Sequence, residues 1–571
     1  MNVSVPRPRF ARSLAAVVAL IGGSLAFSLP ARAHDGGFPI VTAFSSVEIG
    51  ADARSWITVQ DSDGVLHFGC DVLASYDGER WRTTPLHDAY ALRGLEFGAD
   101  GRLWFAAAGD IGWFERESGA PWQLHSLRAN LPREDASLGE VWHVFSEKDG
   151  AVFISENKIL RWDGKVFHVW SLPGSRRLPA TRCAGTIYVH HEPTGLYALG
   201  PAGPQLVIPA AVLGDAIVFW MEPSANGWLL ATAQGIFNFA DGRLEPMAPV
   251  VSEYVRRHAL TSAARLPDGR LALGTYQGGL VLMRVDGSLD RVLTEDDGLP
   301  TRAIFSVFVD REGSLWATSP SHIFRVSAGS PSTLLDRRAG LPELPVLKIV
   351  RHQGTIMAAT DRGVFRLQAD GKSFAPFDEL GERLWDLRSV ERGLVGANYR
   401  QVKLVSAGNA TTLYSSDQTP FVVQASRQWP GSFLISVGRN IVVANHAGQS
   451  RTIIRDLPDI ATSIAEDRLG RIWLGTYTRG ILSAQPELDA PVAAVPAAGS
   501  RGLSAIRGPG IVAPANGAVL AFATDGGWIM GREARNFAPI ADFPRREVAV
   551  VSDAAADGTV SPRAAADSHR R

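Results

Sequence analysis

Residues 303–326 read AIFSVFVDREGSLWATSPSHIFRV and residues 460–482 read IATSIAEDRLGRIWLGTYTRGIL. The two align position for position around Asp310-x-x-Gly313-x-x-Trp316 and Asp467-x-x-Gly470-x-x-Trp473. Apolar residues alternate with polar ones over short runs, the period of a strand, and Gly or Pro interrupts before a helix completes three turns. In the turn, Asp can cap its own backbone and Gly accepts positive φ, so the pair specifies a tight reversal. Each copy therefore reads strand, Gly-bearing turn, strand, short loop, strand, with little room for helix.

The same unit recurs outward along the chain. Residues 92–114 read LRGLEFGADGRLWFAAAGDIGWF and residues 260–282 read LTSAARLPDGRLALGTYQGGLVL. The turn glycines run Gly64, Gly101, Gly150, Gly185, Gly227, Gly269, Gly313, Gly354, Gly393, Gly431, Gly470 and Gly510, with a weaker Gly558. Their mean step is about 41 residues, the length of a four-stranded propeller blade. Twelve or thirteen blades exceed one ring of four to eight, so the expectation is an all-β chain of tandem β-propellers. The join is expected at Gly340-Leu341-Pro342, giving a first propeller over 34–340 with seven blades. The second, over 341–571, is expected to hold five to six blades or an incomplete seventh, because Glu547–Val551 and Gly558 are followed only by SPRAAADSHRR. Trp104, Trp316 and Trp473 recur at one position, where a large ring fills the space between neighbouring sheets, so they read as packing and not as a ligand platform. A segment within 38–49 is expected to close the first ring by pairing with its far end.

With 571 residues and 46% hydrophobic content, the chain can build more than one core. A formal net charge of -1 without long like-charged blocks gives no footprint for nucleic acid. Arg7, Arg9 and Arg12, an apolar run from Leu14 to Leu29, and Ala31-Arg32-Ala33 follow the order of a secretory signal, so residues 1–33 are expected to be removed and the product to be periplasmic or secreted, or membrane-anchored if uncleaved. The two cysteines, Cys70 and Cys183, fall in different blades, which disfavours a bridge.

The GLP connectors Gly298-Leu299-Pro300 and Gly340-Leu341-Pro342, together with the Asp-x-x-Gly-x-x-Trp strands, make the chain resemble the two-component regulator propeller repeats of bacterial sensors. The resemblance implies an extracytoplasmic ligand-sensing region, often for carbohydrates, followed in such proteins by a β-sandwich, a membrane helix and a kinase or cyclase. None of those later parts is visible after Gly558, so the resemblance implies a sensor module, either free-standing, working with a separate membrane signalling protein, or left by truncation.

Propellers also host enzymes, and fold alone does not decide function. There is no Gly-x-Ser-x-Gly nucleophile elbow, and Gly371-Lys372-Ser373 has Arg366 where a phosphate loop needs its first glycine. His190-His191 are adjacent on a strand, pointing to opposite faces, so they do not readily chelate one metal. Asp61-Ser62-Asp63-Gly64 lacks the later acidic ligand of a calcium loop and reads as a turn. No catalytic residues, metal or cofactor are assigned. A streptogramin-type lyase or another propeller hydrolase is the enzymatic alternative, and a protein-docking scaffold is the third.

The loops joining the second and third strands emerge opposite the Asp-x-x-Gly turns, on the face propellers commonly use for binding. They carry Tyr276, Gln277 and His322 in the first ring, and Arg362, Tyr399, Arg400, Tyr477 and Arg479 in the second. Aromatic faces stack on sugar rings and Arg forks grip carboxylates, so this set suits a carbohydrate or other small-molecule ligand, with the second ring holding the denser set.

Overall fold

The computed structural model describes residues 37–539 apart from 87–90, 117–119, 330–331, 488–489, 497–509, 513–518, 524–525 and 531–536. The expected signal segment 1–33, the strand Glu547–Val551 and Gly558 lie outside the described residues. The described strands form twelve four-stranded antiparallel sheets. In the copies that keep both residues, Asp and Gly shape the turn as the sequence requires. In the best copy, Asp310 Oδ1 accepts the amide N–H of Ser314 at 2.7 Å and Gly313 sits at φ 82°. Asp310 Oδ2 takes the indole N–H of Trp316 at 2.8 Å. Asp467 holds Trp473 in the same way at 2.9 Å. The motif is a clamp: one carboxylate fixes both the turn and the ring that packs between sheets.

Phe38–Leu334 forms one compact unit, and Leu335 onward makes up the body of the other. The first contains seven sheets, spanning residues 58–85, 92–126, 141–171, 180–209, 218–247, 260–293 and 306–326. The last is completed by Val41–Ser45, which pairs antiparallel with His322–Val326, Val41 opposite Val326. The inner strand Ser306–Val309 of this sheet packs beside Thr58–Gln60 of the first, so the seven sheets close into a propeller. Apolar clusters sit between blades. One joins Phe145, Val152 and Ile154 of the third sheet to Leu178, Ala180 and Ile187 of the fourth.

The second unit holds five sheets among the described residues, spanning 346–377, 386–415, 420–454, 461–496 and 510–539. Their inner strands neighbour one another in chain order. Asp386, buried on the second inner strand, accepts the N–H of Val423 at 3.0 Å and faces Lys348 at 3.5 Å, tying three consecutive blades together.

Against the expectation of little helix, one α-helix among the described residues runs beyond a single turn. Pro249–His258 is a ten-residue helix between the fifth and sixth sheets. Pro249 starts it, Val251 and Val255 bury one face, and Arg256, Arg257 and His258 occupy the last turn, where cations favour the helix dipole.

Candidate functional site

In most blades the inner strand carries a β-bulge one residue after its start. In the first propeller the register shifts between Leu92 and Gly94, Val141 and His143, Val218 and Trp220, and Leu260 and Ser262. The extra residues are Arg93, Trp142, Phe219 and Thr261. Two other blades do the same without a formal bulge. Trp56 N–H donates to Gly69 O while Gly69 N–H donates to Ile57 O, and Phe305 N–H donates to Thr318 O although Thr318 already opposes Ser306. A bulge withdraws one residue from the ladder and re-aims its side chain, here at the strand end opposite the Asp-x-x-Gly turn.

These re-aimed side chains meet. Phe305 stacks on Trp56 with centroids 4.1 Å apart and planes 5° from parallel. Tyr276 lies parallel to Phe305 on its other side, at 6.2 Å. Trp56 meets Trp142 edge to face at 5.7 Å. The Arg93 guanidinium sits over both indoles, 4.6 Å from Trp56 and 5.0 Å from Trp142. Arg177, just before the strand Ala180–Cys183, covers Trp142 at 4.2 Å. The result is an arc drawn from six of the seven blades, a run of four rings with Arg93 and Arg177 against its Trp56–Trp142 end.

Its electrostatics are uneven. Arg93 is paired with Glu140, Nε to Oε2 at 2.8 Å and Nη2 to Oε1 at 3.4 Å. Arg177 has no carboxylate among the described residues, and its Nε is shielded without a hydrogen-bond partner. Burial, and then the like charge of Arg93, push its pKa down. Next to it, burial and the Arg177 charge push the His143 imidazole down to about 3, leaving it neutral at ordinary pH. Trp56 Nε1 is also shielded and unpartnered. At the other end of the same inner strands, charges are matched: Arg182 reaches Glu96 at 3.0 Å and Arg265 pairs with Glu222.

Of the residues expected from sequence, Tyr276 joins the arc, 48% exposed, with Gln277 beside it in the turn before Gly279–Met283. His322 begins the strand His322–Val326, opposite Ser45 of the closing strand, and its Nδ1 shares a hydrogen bond with Ser321 Oγ. Arg362, Tyr399, Arg400, Tyr477 and Arg479 lie on the turns between second and third strands of three blades in the second unit. There Arg383 covers the Tyr399 ring at 5.7 Å, and Asp459 accepts the Thr478 hydroxyl at 2.9 Å. Among the described residues no hydrogen bond or ring contact joins the Tyr399-Arg400 turn to the Tyr477–Arg479 turn. Trp385 meets Phe421 at 5.7 Å, an aromatic pair from the starts of two neighbouring inner strands.

Trp56, Arg93, Trp142, Arg177 and Phe305 were not anticipated. The quoted repeats did carry a signal for this column: Leu-Arg-Gly, Leu-Thr-Ser, Ile-Phe-Ser and Ala-Thr-Ser, where the middle residue changes chemistry while its predecessor stays apolar.

Other candidate groups are structural. Asp61 caps its turn by accepting from Val65 N–H at 2.9 Å and holds His67 at 3.2 Å, the histidine taking the place of the clamp tryptophan. His191 is fixed by Thr194 Oγ1 at 2.6 Å and Pro173 O at 2.9 Å. No three metal-ligating side chains gather among the described residues. Cys70 and Cys183 are both buried free thiols, Cys70 pushed by burial up to about 12.

Residues 457–478 match the two-component regulator propeller. This regulator-propeller repeat covers the turn and second strand of the Asp467 clamp. The extracellular domain of the hybrid two-component system BT3049 from B. thetaiotaomicron superimposes with a TM-score of 0.64 at 15% identity, over 91% of this chain and 75% of that one. The extracellular domain of the one-component system BT4673 from the same organism gives a TM-score of 0.39 at 14% identity, over 88% and 73%. A streptogramin B lyase gives 0.41 at 12% identity, over 51% of this chain and 98% of that one. No curated protein sequence matches the chain. The first of these likenesses establishes the tandem-propeller fold. No helix among the described residues is long and apolar enough to cross a membrane.

Proposed function

We propose that this chain is the ligand-binding module of an extracytoplasmic sensor system, and that the first propeller holds a small molecule or glycan against the Tyr276–Phe305–Trp56–Trp142 arc. The observation that carries the reading is the arc itself: parallel and edge-on rings offer flat faces for stacking, and the intervening guanidiniums offer forked donors. The regulator-propeller repeat and the extracellular domain of a two-component system that shares the fold support a signalling context. Binding is the reading the arc suits, since its rings and guanidiniums offer stacking and forked donors, and the His143 imidazole beside Arg177 has its pKa held at about 3, far below the range in which it would shuttle protons near neutral pH.

Thermal unfolding of the chain from Asp35 onward, against a panel of neutral and acidic oligosaccharides, tests this. A ligand that binds only the folded state raises the midpoint by mass action. A selective rise, without turnover and lost in Trp56→Ala, is the expected result. Turnover of the sugar would transfer the site to a propeller lyase or hydrolase. A well-folded sample that responds to no sugar would leave the arc to a protein partner.

A further inference from the structure

The two ends of the first propeller treat arginine differently. At the turn end, Arg182 is met by Glu96 and Arg265 by Glu222. At the bulged end, Glu140 serves Arg93 through two contacts, and Arg177 has only the face of Trp142 and the repulsion of Arg93. A partly buried cation with a like-charged neighbour and no carboxylate is costly, and its shielded Nε adds an unmade hydrogen bond. His143 beside it does not supply a negative charge. An anionic group brought by a ligand to this guanidinium would offset its charge and the repulsion of Arg93.

We propose that Arg177 is a specificity-determining residue that grips the anionic substituent, a carboxylate or a sulfate ester, of a sugar stacked on the arc. This rests on the arc being the binding site, and it narrows the ligand from glycans in general to acidic ones. The sugar ring of such a ligand would lie against the partly exposed arc, where Tyr276 is its most exposed ring, while its anion reaches the Arg177 fork. Arg93, held by Glu140, packs over both Trp56 and Trp142.

Isothermal titration of the chain from Asp35 onward with three probes separates the sources: an α-1,4-linked galacturonate trimer, its carboxyl-reduced galactose counterpart, and a galactose trimer carrying sulfate esters. One of the two acidic probes is expected to bind at least tenfold more tightly than the neutral one. Arg177→Met is expected to weaken that probe by roughly tenfold to a hundredfold, the scale of one charged hydrogen bond, and to weaken the neutral trimer by a clearly smaller factor. Arg177→Lys, which keeps the charge and loses the planar fork, should recover part of the carboxylate binding. Equal binding of all three probes, indifferent to Arg177→Met but lost in Trp56→Ala, would overturn the acidic-ligand inference and leave the arc as a neutral-sugar site. Absence of binding by every probe, in a sample with an unaltered unfolding midpoint, would overturn both.

Discussion

At one end of the strand Ser306–Val309, Asp310 fastens its own turn and the Trp316 indole; at the other, Phe305 lies flat on Trp56, whose indole N–H meets no acceptor. Both ends are rich in aromatic residues, and both use the same strand. At the turn end the ring is buried between blades and its polar atom is satisfied, and in other blades Arg182 and Arg265 meet carboxylates there. At the bulged end the rings are partly exposed, the Trp56 and Arg177 N–H donors are among the buried polar atoms left unpaired, and the Arg177 cation is uncompensated. A repeat can therefore spend its two ends differently: one secures the fold, and the other is left unsatisfied in ways that a ligand can complete.

The sharpest way to break this contrast is to delete a ring at each end. Trp316→Ala removes a side chain only 2% exposed and strands the Asp310 carboxylate. It should cost about 3–5 kcal/mol, read as a lower urea midpoint for unfolding of the first propeller. Trp56→Ala should cost less, about 1–2 kcal/mol, because the ring is partly exposed and what it loses is mostly stacking. If both substitutions cost the same, the bulged end is as structural as the turn end.

A smaller effect concerns protons. His143 has its pKa lowered from 6.5 to about 3 by burial and by Arg177, and His190 is lowered from 6.5 to about 4 by burial and by His191. The unfolded chain takes up these protons as pH falls below about 6.5, while the folded chain does not, so stability falls with pH through that window. For His143 the loss levels off near its folded value. His143→Gln should therefore make the midpoint less sensitive to acid between pH 7 and 4.5 in urea titrations at each pH. An unchanged slope would mean that the imidazole charges freely in the folded protein.

The turn end was legible in the sequence because each of its residues has a distinct physical task. Asp310, Gly313 and Trp316 recur at fixed spacing, and only Asp caps, only Gly takes φ 82° without strain, and only a large ring fills the interblade gap. The closing strand was legible for a similar reason: a propeller must cover its last edge, and an apolar segment stood at the start of the unit. The arc was not. Its members share a position and not a residue type, and reading Arg93 with Trp142, or Phe305 with Trp56, requires knowing which strands end side by side. The bulge that aims them leaves no Gly or Pro marker. The helix Pro249–His258 escaped because its apolar contacts, Val251 and Val255, are too few to stand out against strand alternation. Tyr276 was found, since an exposed aromatic in a short turn is unusual by itself, but its partner Phe305 looked like one more core residue of a strand.

The pairing of Val41 with Val326 makes the first propeller a ring whose clasp is fastened from both ends of its own chain. The segment Val41–Ser45 emerges first and must wait, unpaired, until His322–Val326 has been made. Six blades can assemble in order from local hairpins, yet the seventh remains one strand short throughout that time, with a bare edge open to foreign strands. Closure is thus the late, long-range step of folding this unit. A protease that trimmed the chain past Ser45 would not shorten the ring by a blade; it would unlatch it, leaving the arc's Phe305 and Trp56 on two blades no longer held at a fixed separation.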